Sequence, residues 1–183
     1  MLSFNEQLNI LIKNALQEDV GDGDHSALCC IPADAKGKAV LKIKQDGLLA
    51  GMDIARRIFH FKEPGATFTE YKKDGDLMKP GDVAFEVSAS VHSILQCERL
   101  VLNCMQRMSG IATTTHKFNI KLEGLATKVL DTRKTTPLLR ALEKMAVRIG
   151  GGHNHRMGLY DMILIKDNHV DYAGGIKQAI RNA

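Results

Sequence analysis

Cationic side chains are concentrated in one stretch of the chain, residues 131–169. These 39 residues carry seven Lys or Arg and only four Asp or Glu, so +3 of the chain's formal charge of +4 lies there. Three of the seven His residues are in the same stretch, which is broken by Pro137 and by three glycines at 150–152. Cations and imidazoles on loops are groups that bind carboxylate and phosphate. The stretch therefore indicates an anion site.

Two adjacent cations, Arg133 and Lys134, come two residues after the end of the short apolar run 129–130. Arg offers a planar fork that grips a carboxylate or phosphate with two hydrogen bonds, and Lys adds a mobile point charge. The surrounding sequence, Asp131-Thr-Arg-Lys-Thr-Thr-Pro137, is rich in turn and capping residues, which favours a fixed loop. Charges on a solvated loop are the alternative interpretation.

The histidines of this stretch allow a metal site as an alternative to anion recognition. However, Arg156 adjoins His155 and Lys166 precedes His169, so cations would crowd a zinc ion, and no HExxH or paired-Cys motif is present. Anion recognition is therefore favoured, with ordinary surface histidines as the other alternative. The glycine run 150–152 lacks the spacing of a nucleotide loop and is predicted to end a helix.

The bulk composition is that of an ordinary globular protein with one large domain or two small ones. The 183 residues are 44% hydrophobic and 25% charged. A mild charge of +4, the absence of Trp and basic residues that are not regularly interleaved with aromatic ones disfavour a nucleic-acid binder. No 18-residue apolar stretch or signal-like N-terminus occurs, so no membrane segment is predicted and a cytoplasmic protein is expected.

The cysteines Cys29, Cys30, Cys97 and Cys104 form neither a CxxC motif nor a disulfide-like framework. Reduced thiols of a cytosolic protein are the favoured interpretation. No Ser or Cys lies in a nucleophile-elbow motif, so the sequence does not support covalent catalysis.

The first part of the chain mixes helix and strand patterns without a regular β-α order. Ser3 and Glu6 have the spacing of a capping box. The predicted elements are helix 4–18, strand 38–44, helix 52–61, strands 66–71 and 83–87, and helix 91–108. Ser109-Gly110 is expected to interrupt the last helix before a second one runs to about residue 123. This pattern predicts an α+β domain on an antiparallel or mixed sheet.

The pattern then changes to β-α-β. The run 129–130 predicts a strand, Thr136 as N-cap and Pro137 as the first helical residue predict a helix ending at Ile149, and Met162–Ile165 predicts another strand. Polar residues follow both strands, where α/β folds place their ligand sites. A closed barrel usually needs about 200 residues or more. The pattern therefore predicts a small open sheet or a part of a longer barrel.

Six motifs in this chain occur in the order found in one enzyme family. They are Glu98-Arg-Leu-Val-Leu-Asn103, Ser109-Gly-Ile-Ala-Thr113, Asp131-Thr-Arg-Lys-Thr-Thr-Pro137, Glu143-Lys-Met-Ala-Val-Arg148, Gly150-Gly-Gly-His-Asn-His-Arg156 and Leu164-Ile-Lys-Asp-Asn-His169. Together they closely resemble quinolinate phosphoribosyltransferase, also called carboxylating nicotinate-nucleotide pyrophosphorylase. The resemblance implies an α/β protein: an α+β, sandwich-like domain with a linking helix over residues 1–108, then the first part of a TIM-like α/β barrel over 109–183, incomplete in this chain.

The resemblance also implies a reaction. Quinolinate and 5-phosphoribosyl 1-pyrophosphate, with Mg²⁺, give nicotinate mononucleotide, pyrophosphate and CO₂ in NAD biosynthesis de novo, in an enzyme that is a homodimer or larger. Family members continue beyond the position of Ala183 with acidic residues for ribose and metal and Gly-rich loops for phosphate. The 183-residue chain alone is therefore expected to be inactive.

Substrate contacts are implied residue by residue. They are Arg99, Thr132, Arg133, Lys134, His155, Arg156 and Lys166. Arg133, His155, Arg156 and Lys166 would hold the pyridine dicarboxylate, while Lys134 would face the phosphoribosyl donor. From the residues alone, Arg99 is a solvated charge on a helix face or a partner of Glu98. The resemblance implies instead that it reaches into the neighbouring subunit's site. Lys134 and Lys166 are the candidate catalytic residues, because either could manage the proton in decarboxylation, and no residue is assigned to a metal.

Two alternatives stay open. One is a related barrel enzyme that resembles the molybdenum-transport-associated homologue of this family and acts on another substrate. The other is a non-catalytic module that binds pyridine carboxylates or phosphate.

Overall fold

The computed structural model describes residues 3–183. In that part of the chain the elements are α1 (Phe4–Val20), α2 (His25–Cys30), β1 (Lys36–Lys42), β2 (Gly47–Leu48), α3 (Met52–Lys62), β3 (Thr67–Glu70), β4 (Leu77–Met78), β5 (Val83–Ser90), α4 (Val91–Lys121), α5 (Arg140–Ile149), α6 (Asp167–Ala173) and α7 (Ile176–Asn182). Over residues 3–183, no helix combines the length and apolar character needed to cross a bilayer.

An antiparallel three-stranded sheet in the order β1-β5-β3 lies in the N-terminal part, and β2 and β4 form a separate pair. Lys36 of β1 pairs with Ser90 of β5, and Thr67 of β3 pairs with Ser88 of β5. Exposed and half-buried residues alternate along β1, so one face of this strand is solvated. The predicted antiparallel α+β arrangement is confirmed.

α1 has the capping box that the sequence predicts. Ser3 N donates to the Glu6 carboxylate (2.7 Å), and Glu6 N donates to Ser3 Oγ (3.3 Å). Leu8, Ile12 and Leu16 form its buried face. These local signals place a helix correctly to within two residues at its end.

The core lies between the sheet, α3 and α4. Phe59 of α3 contacts Phe68 and Phe85 of the sheet, with ring centroids 6.1 and 6.2 Å apart. Cys97 and Cys104 of α4 are buried, and burial raises the pKa of their thiols to about 12 and about 11. These two thiols are neutral packing groups rather than nucleophiles.

α4 is one continuous 31-residue helix, so the predicted interruption at Ser109-Gly110 is wrong. The Ser109 hydroxyl accepts a hydrogen bond from Ala50 N (3.0 Å) and donates one to Ala50 O (3.2 Å). The hydroxyl therefore satisfies a neighbouring loop, and the packing of α4 outweighs the low helix propensity of Gly110. The division proposed between residues 1–108 and 109–183 falls inside this helix.

α5 begins three residues after Pro137, and Thr136 is not its N-cap. Leu139 N donates to Thr136 O (3.1 Å), and Leu138 has a φ of +66°. Pro at the second position and a positive φ at the third are features of a type II turn. Thr136 N also donates to the Glu143 carboxylate (3.2 Å). These contacts hold the turn outside the helix, so the predicted helix start is wrong.

Replacing Leu138 with Gly is expected to raise the free energy of unfolding by about 0.5–1 kcal/mol. A positive φ is strained for a side chain with a Cβ, and Leu138 is 91% exposed, so little packing is lost. Denaturation by urea measures the change. Leu125→Gly is the matched control, because Leu125 is 62% exposed and is not a positive-φ residue. A loss of stability in both variants would contradict the prediction.

The apolar runs at 129–130 and 162–165 do not form a pair of strands. Leu130 makes an isolated parallel bridge with His153, and Met162–Ile165 has no strand structure. The predicted strand is therefore wrong for the second run and reduced to one bridge for the first. Parallel strands are stable when both faces are covered, whereas Ile163 is 71% and Leu130 55% exposed.

Candidate functional site

Two polar loops meet beside α5: loop A (131–139) before the helix and loop B (153–162) after it. The bridge between Leu130 and His153 lies where both loops begin. Arg140 of α5 donates a hydrogen bond to a carbonyl of loop B (3.0 Å) and another to a carbonyl of loop A (3.4 Å). The two loops are therefore held side by side.

A buried ion pair between Asp131 and Lys144 ties both loops to α5. The Lys144 side chain is 2% exposed and that of Asp131 is 6% exposed. Lys144 Nζ also donates to His155 O (2.9 Å), and His155 N donates to Asp131 Oδ1 (2.8 Å). In the sequence Lys144 counts among the cations of an anion site, but its charge is neutralised inside the protein. Helical periodicity in the sequence does not show that Lys144 is buried, because Glu143 and Arg148, which are also charged, lie on the same short helix.

A second contact, between Arg107 of α4 and Glu143 of α5, holds the far end of loop A. Glu143 Oε1 accepts from Arg107 Nε (3.0 Å) and Nη2 (2.8 Å), and Oε2 accepts from Thr136 N (3.2 Å). Burial raises the pKa of the Glu143 carboxyl, but the hydrogen bonds from Thr136 and Arg107 outweigh burial and leave this pKa below its ordinary value. Sequence reasoning did not find this contact, because its partners are 36 residues apart.

Loop A carries the predicted residues Thr132, Arg133 and Lys134. Thr132 and Lys134 are exposed, and Lys134 N donates to Thr132 Oγ1 (3.0 Å). Arg133 is half-buried, and its Nε is buried without a hydrogen-bond partner within residues 3–183. A buried donor without an acceptor is costly. Arg133 is therefore suited to receive an oxygen of a bound anion.

Loop B carries His155 and Arg156. The backbone N–H and carbonyl of His155 are both hydrogen-bonded, whereas its ring makes no hydrogen bond to any described residue. Arg156 is 7% exposed and donates through Nη1 to Met162 O (3.2 Å). Through Asp131, the structure thus brings the backbone of 132–134 beside that of 155–156.

Lys166 and Arg99 lie apart from this contact. Lys166 is the exposed N-cap of α6, and its N–H donates to His169 Nδ1 (3.0 Å). Arg99 is on the exposed face of α4. Over the described part of the chain, no hydrogen bond or ion pair joins either side chain to loops A and B. Residues 3–183 contain no group of three or more His, Cys, Asp or Glu side chains arranged as a metal site.

The glycine run 150–152 ends α5 and packs against α4. A Cβ at Gly150 would lie 2.5 Å from Ala112 O, and one at Gly152 would lie 2.9 Å from Thr115 Cγ2. The predicted helix end is confirmed. These glycines permit close helix contact, and the structure assigns them no role around a phosphate.

A groove of about 700 Å³ runs between α1, α4 and the start of α5, and residues 137–139 of loop A and Met157 and Tyr160 of loop B also line it. Arg107, Arg140 and Tyr160 are among its lining residues, whereas the predicted substrate cations are not. Much of the lining is apolar, so a dianion would leave its charges poorly solvated there. We therefore place the candidate anion site at residues 132–134 of loop A and 155–156 of loop B, which do not line this groove.

Two family models match the chain. The N-terminal domain of quinolinate phosphoribosyl transferase matches residues 24–109, and its C-terminal domain matches residues 111–183. A chloroplastic nicotinate-nucleotide pyrophosphorylase [carboxylating] of Arabidopsis thaliana is 46% identical over 179 residues, covering 96% of this chain and 50% of that protein. A probable enzyme of the same name from Bacillus subtilis is 42% identical, covering 97% of this chain and 61% of that protein.

Solved structures agree with these matches. NadC from Streptococcus pyogenes superposes with a TM-score of 0.91 at 41% identity, covering all of this chain and 64% of that one. The nicotinate-nucleotide pyrophosphorylase of Francisella tularensis gives 0.89 at 36% identity. The predicted fold class, an N-terminal α+β domain followed by part of an α/β barrel, is confirmed. The chain spans about half the length of the plant relative and less than two thirds of the bacterial ones.

Proposed function

Because the chain belongs to the quinolinate phosphoribosyltransferase family, we propose that it forms the quinolinate-binding part of an enzyme of NAD biosynthesis. The reaction transfers the phosphoribosyl group of 5-phosphoribosyl 1-pyrophosphate to the ring nitrogen of quinolinate. Pyrophosphate and CO₂ leave, and nicotinate mononucleotide remains. The observation that carries the proposal is the joining of loops A and B by one buried ion pair, since it places the backbones of Arg133 and His155 on adjacent, fixed segments.

Quinolinate has two adjacent carboxylates, so its site must supply several donors in fixed directions. The half-buried Arg133 has a guanidinium nitrogen without a protein acceptor, and its fork suits one carboxylate. The ring of His155 and the remaining guanidinium nitrogens of Arg156 serve the other carboxylate. Lys166, exposed at the start of α6, closes the site with a mobile charge. The Thr132 hydroxyl accepts a hydrogen bond from Lys134 N and so fixes the backbone just after Arg133.

Lys134 is exposed on loop A and meets the pyrophosphate of the donor. As pyrophosphate leaves, negative charge grows on it and positive charge grows on the ribose, and a nearby ammonium stabilises the leaving group. The ribosylated ring nitrogen is positive and stabilises the electron pair that stays on the adjacent ring carbon when its carboxylate leaves as CO₂. A proton then replaces the carboxylate on the ring carbon, delivered by Lys134 or Lys166.

Mg²⁺ accompanies the donor in this proposal, but the acidic side chains around loops A and B do not fit as its ligands. Asp131 is paired with Lys144, and Glu143 is paired with Arg107. The carboxylate of Asp161 accepts two amides of loop B, at 2.7 and 2.9 Å. These contacts occupy the carboxylates with protein partners, so no step of the reaction is assigned to the metal.

We also infer a homodimer in which Arg99 enters the neighbouring subunit's site. Arg99 is exposed and has no hydrogen-bond or ion-pair partner within residues 3–183, so Arg99→Ala should change stability by no more than about 0.5 kcal/mol. Arg99→Ala and Arg133→Ala should each abolish quinolinate binding. When the two variant proteins are dissociated and reassociated together, roughly a quarter of the sites should bind quinolinate again. Half of the dimers are then mixed, and each mixed dimer has one intact site. No recovery in titration calorimetry would contradict the shared site.

Titration calorimetry with quinolinate tests the function on the 183-residue chain. Binding is expected, and nicotinate, which lacks one carboxylate, is the matched control ligand. It should bind at least about tenfold more weakly, because it loses charge-assisted hydrogen bonds. Turnover is followed as release of CO₂ with the donor and Mg²⁺. No binding, or equal affinity for both ligands, would refute the proposal. Binding without turnover is the result expected of these 183 residues alone, and only the same result from an intact full-length protein would identify a non-catalytic anion-binding module.

A further inference from the structure

Lys144 is a charged side chain in the interior of the protein. The residue is 1% exposed, which makes it one of the most deeply buried large residues among those described. A buried ammonium is tolerated only with close partners, and Lys144 Nζ has two: the Asp131 carboxylate and His155 O. Neither partner is a substrate in the proposed function, so the reaction itself leaves this charge unexplained.

The contacts of the Asp131–Lys144 pair converge on residues 154 and 155. His155 donates its N–H to Asp131 and accepts from Lys144 at its carbonyl. The Asn154 side-chain amide donates to the Asp131 carboxylate and to Lys144 O (2.8 Å). All the bonds to His155 go to its backbone, so its ring remains available to a ligand.

We propose that the Asp131–Lys144 pair is a positioning device for the quinolinate site, an inference that rests on the proposed function. Asp131 lies two residues before Arg133 on loop A, and the same carboxylate fixes the backbone of His155 and, through it, of Arg156 on loop B. One buried carboxylate thus sets the direction of the donors on both loops. Lys144 neutralises that carboxylate and anchors it to α5.

Glu143, the residue before Lys144 on α5, holds the other end of loop A. The Glu143 carboxylate accepts Thr136 N and is itself held by Arg107 of α4. Consecutive residues of α5 therefore hold loop A at both ends, with charges of opposite sign. An arrangement serving stability alone would not need charge, because apolar replacements of buried ion pairs are often as stable or more stable.

A pair of variants separates positioning from stability. Lys144→Met leaves the Asp131 carboxylate buried and uncompensated, and should lower Tm by about 10 °C. The double variant Asp131→Leu/Lys144→Met removes both charges. It should regain most of the Tm lost in Lys144→Met, because no unpaired charge remains. In the double variant the N–H and carbonyl of His155 have lost their side-chain partners, and the Asn154 amide has lost its carboxylate partner. The double variant should therefore still bind quinolinate at least about tenfold more weakly than the parent. Lys177→Met, at an exposed lysine of α7, is the control and should change neither quantity.

Each outcome decides between the two roles. Parental affinity in the double variant would overturn the inference, whereas recovered Tm with lost affinity supports it. If the double variant does not fold, Asn154→Ala, at an exposed residue, should weaken binding about threefold through the lost amide contacts, and no change would overturn the inference. A parent chain that binds no quinolinate refutes the proposed function. The positioning role is then judged on a crystal structure of the double variant, where His155 and Arg156 in their parental places would overturn it.

Discussion

Arg133→Ala is expected to abolish quinolinate binding, weakening it by roughly 100-fold or more. The Arg133 side chain is half-buried and its Nε has no acceptor within residues 3–183. Removing it takes away a two-pronged donor and leaves a carboxylate of the bound ligand without its partner. Because Nε makes no hydrogen bond in the described protein, the same change should leave Tm nearly unaltered, and the lost affinity cannot be attributed to unfolding.

Calorimetry with quinolinate measures this effect against two companion variants. Arg148→Ala makes the same truncation at an exposed position of α5 and should bind like the parent. Arg133→Lys keeps the charge but loses the planar fork, so its affinity should be intermediate. An Arg133→Ala variant with parental affinity would remove Arg133 from the site.

Gly150→Ala is expected to lower the free energy of unfolding by about 3 kcal/mol. The added Cβ would lie 2.5 Å from Ala112 O and 2.7 Å from Thr115 Cβ, both on α4. A backbone carbonyl of a 31-residue helix cannot move aside as a flexible side chain does, so α5 must separate from α4. Since α5 holds loops A and B, quinolinate binding should weaken together with stability.

Gly110→Ala is the matched control, because Gly110 lies within α4 and nothing is within 4 Å of its added Cβ. The methyl group should stabilise the helix by about 0.5–1 kcal/mol. Chemical denaturation of both variants measures the difference. If Gly150→Ala were as stable as Gly110→Ala, the close packing of α5 on α4 would be wrong.

The sequence by itself determined the elements that local periodicity and capping specify. The capping box at Ser3 and Glu6 and the alternation along β1 each belong to a few consecutive residues, so they are visible without tertiary contacts. The prediction of an anion site around Arg133 and His155 is equally local, because it rests on the charge density and the motif order of the sequence.

Only the tertiary structure decided where elements join and which charges are free. α4 continues through Ser109 because that hydroxyl bonds to Ala50, 59 residues away. Loop A stays outside α5 because Glu143 holds Thr136, and Lys144 is a buried partner of Asp131 rather than a cation of the site. Each of these outcomes depends on a contact between residues distant in sequence or on burial. Neither a contact between distant residues nor the burial of a charge is visible in sequence periodicity. Periodicity shows which face of an element is apolar but not what packs against that face.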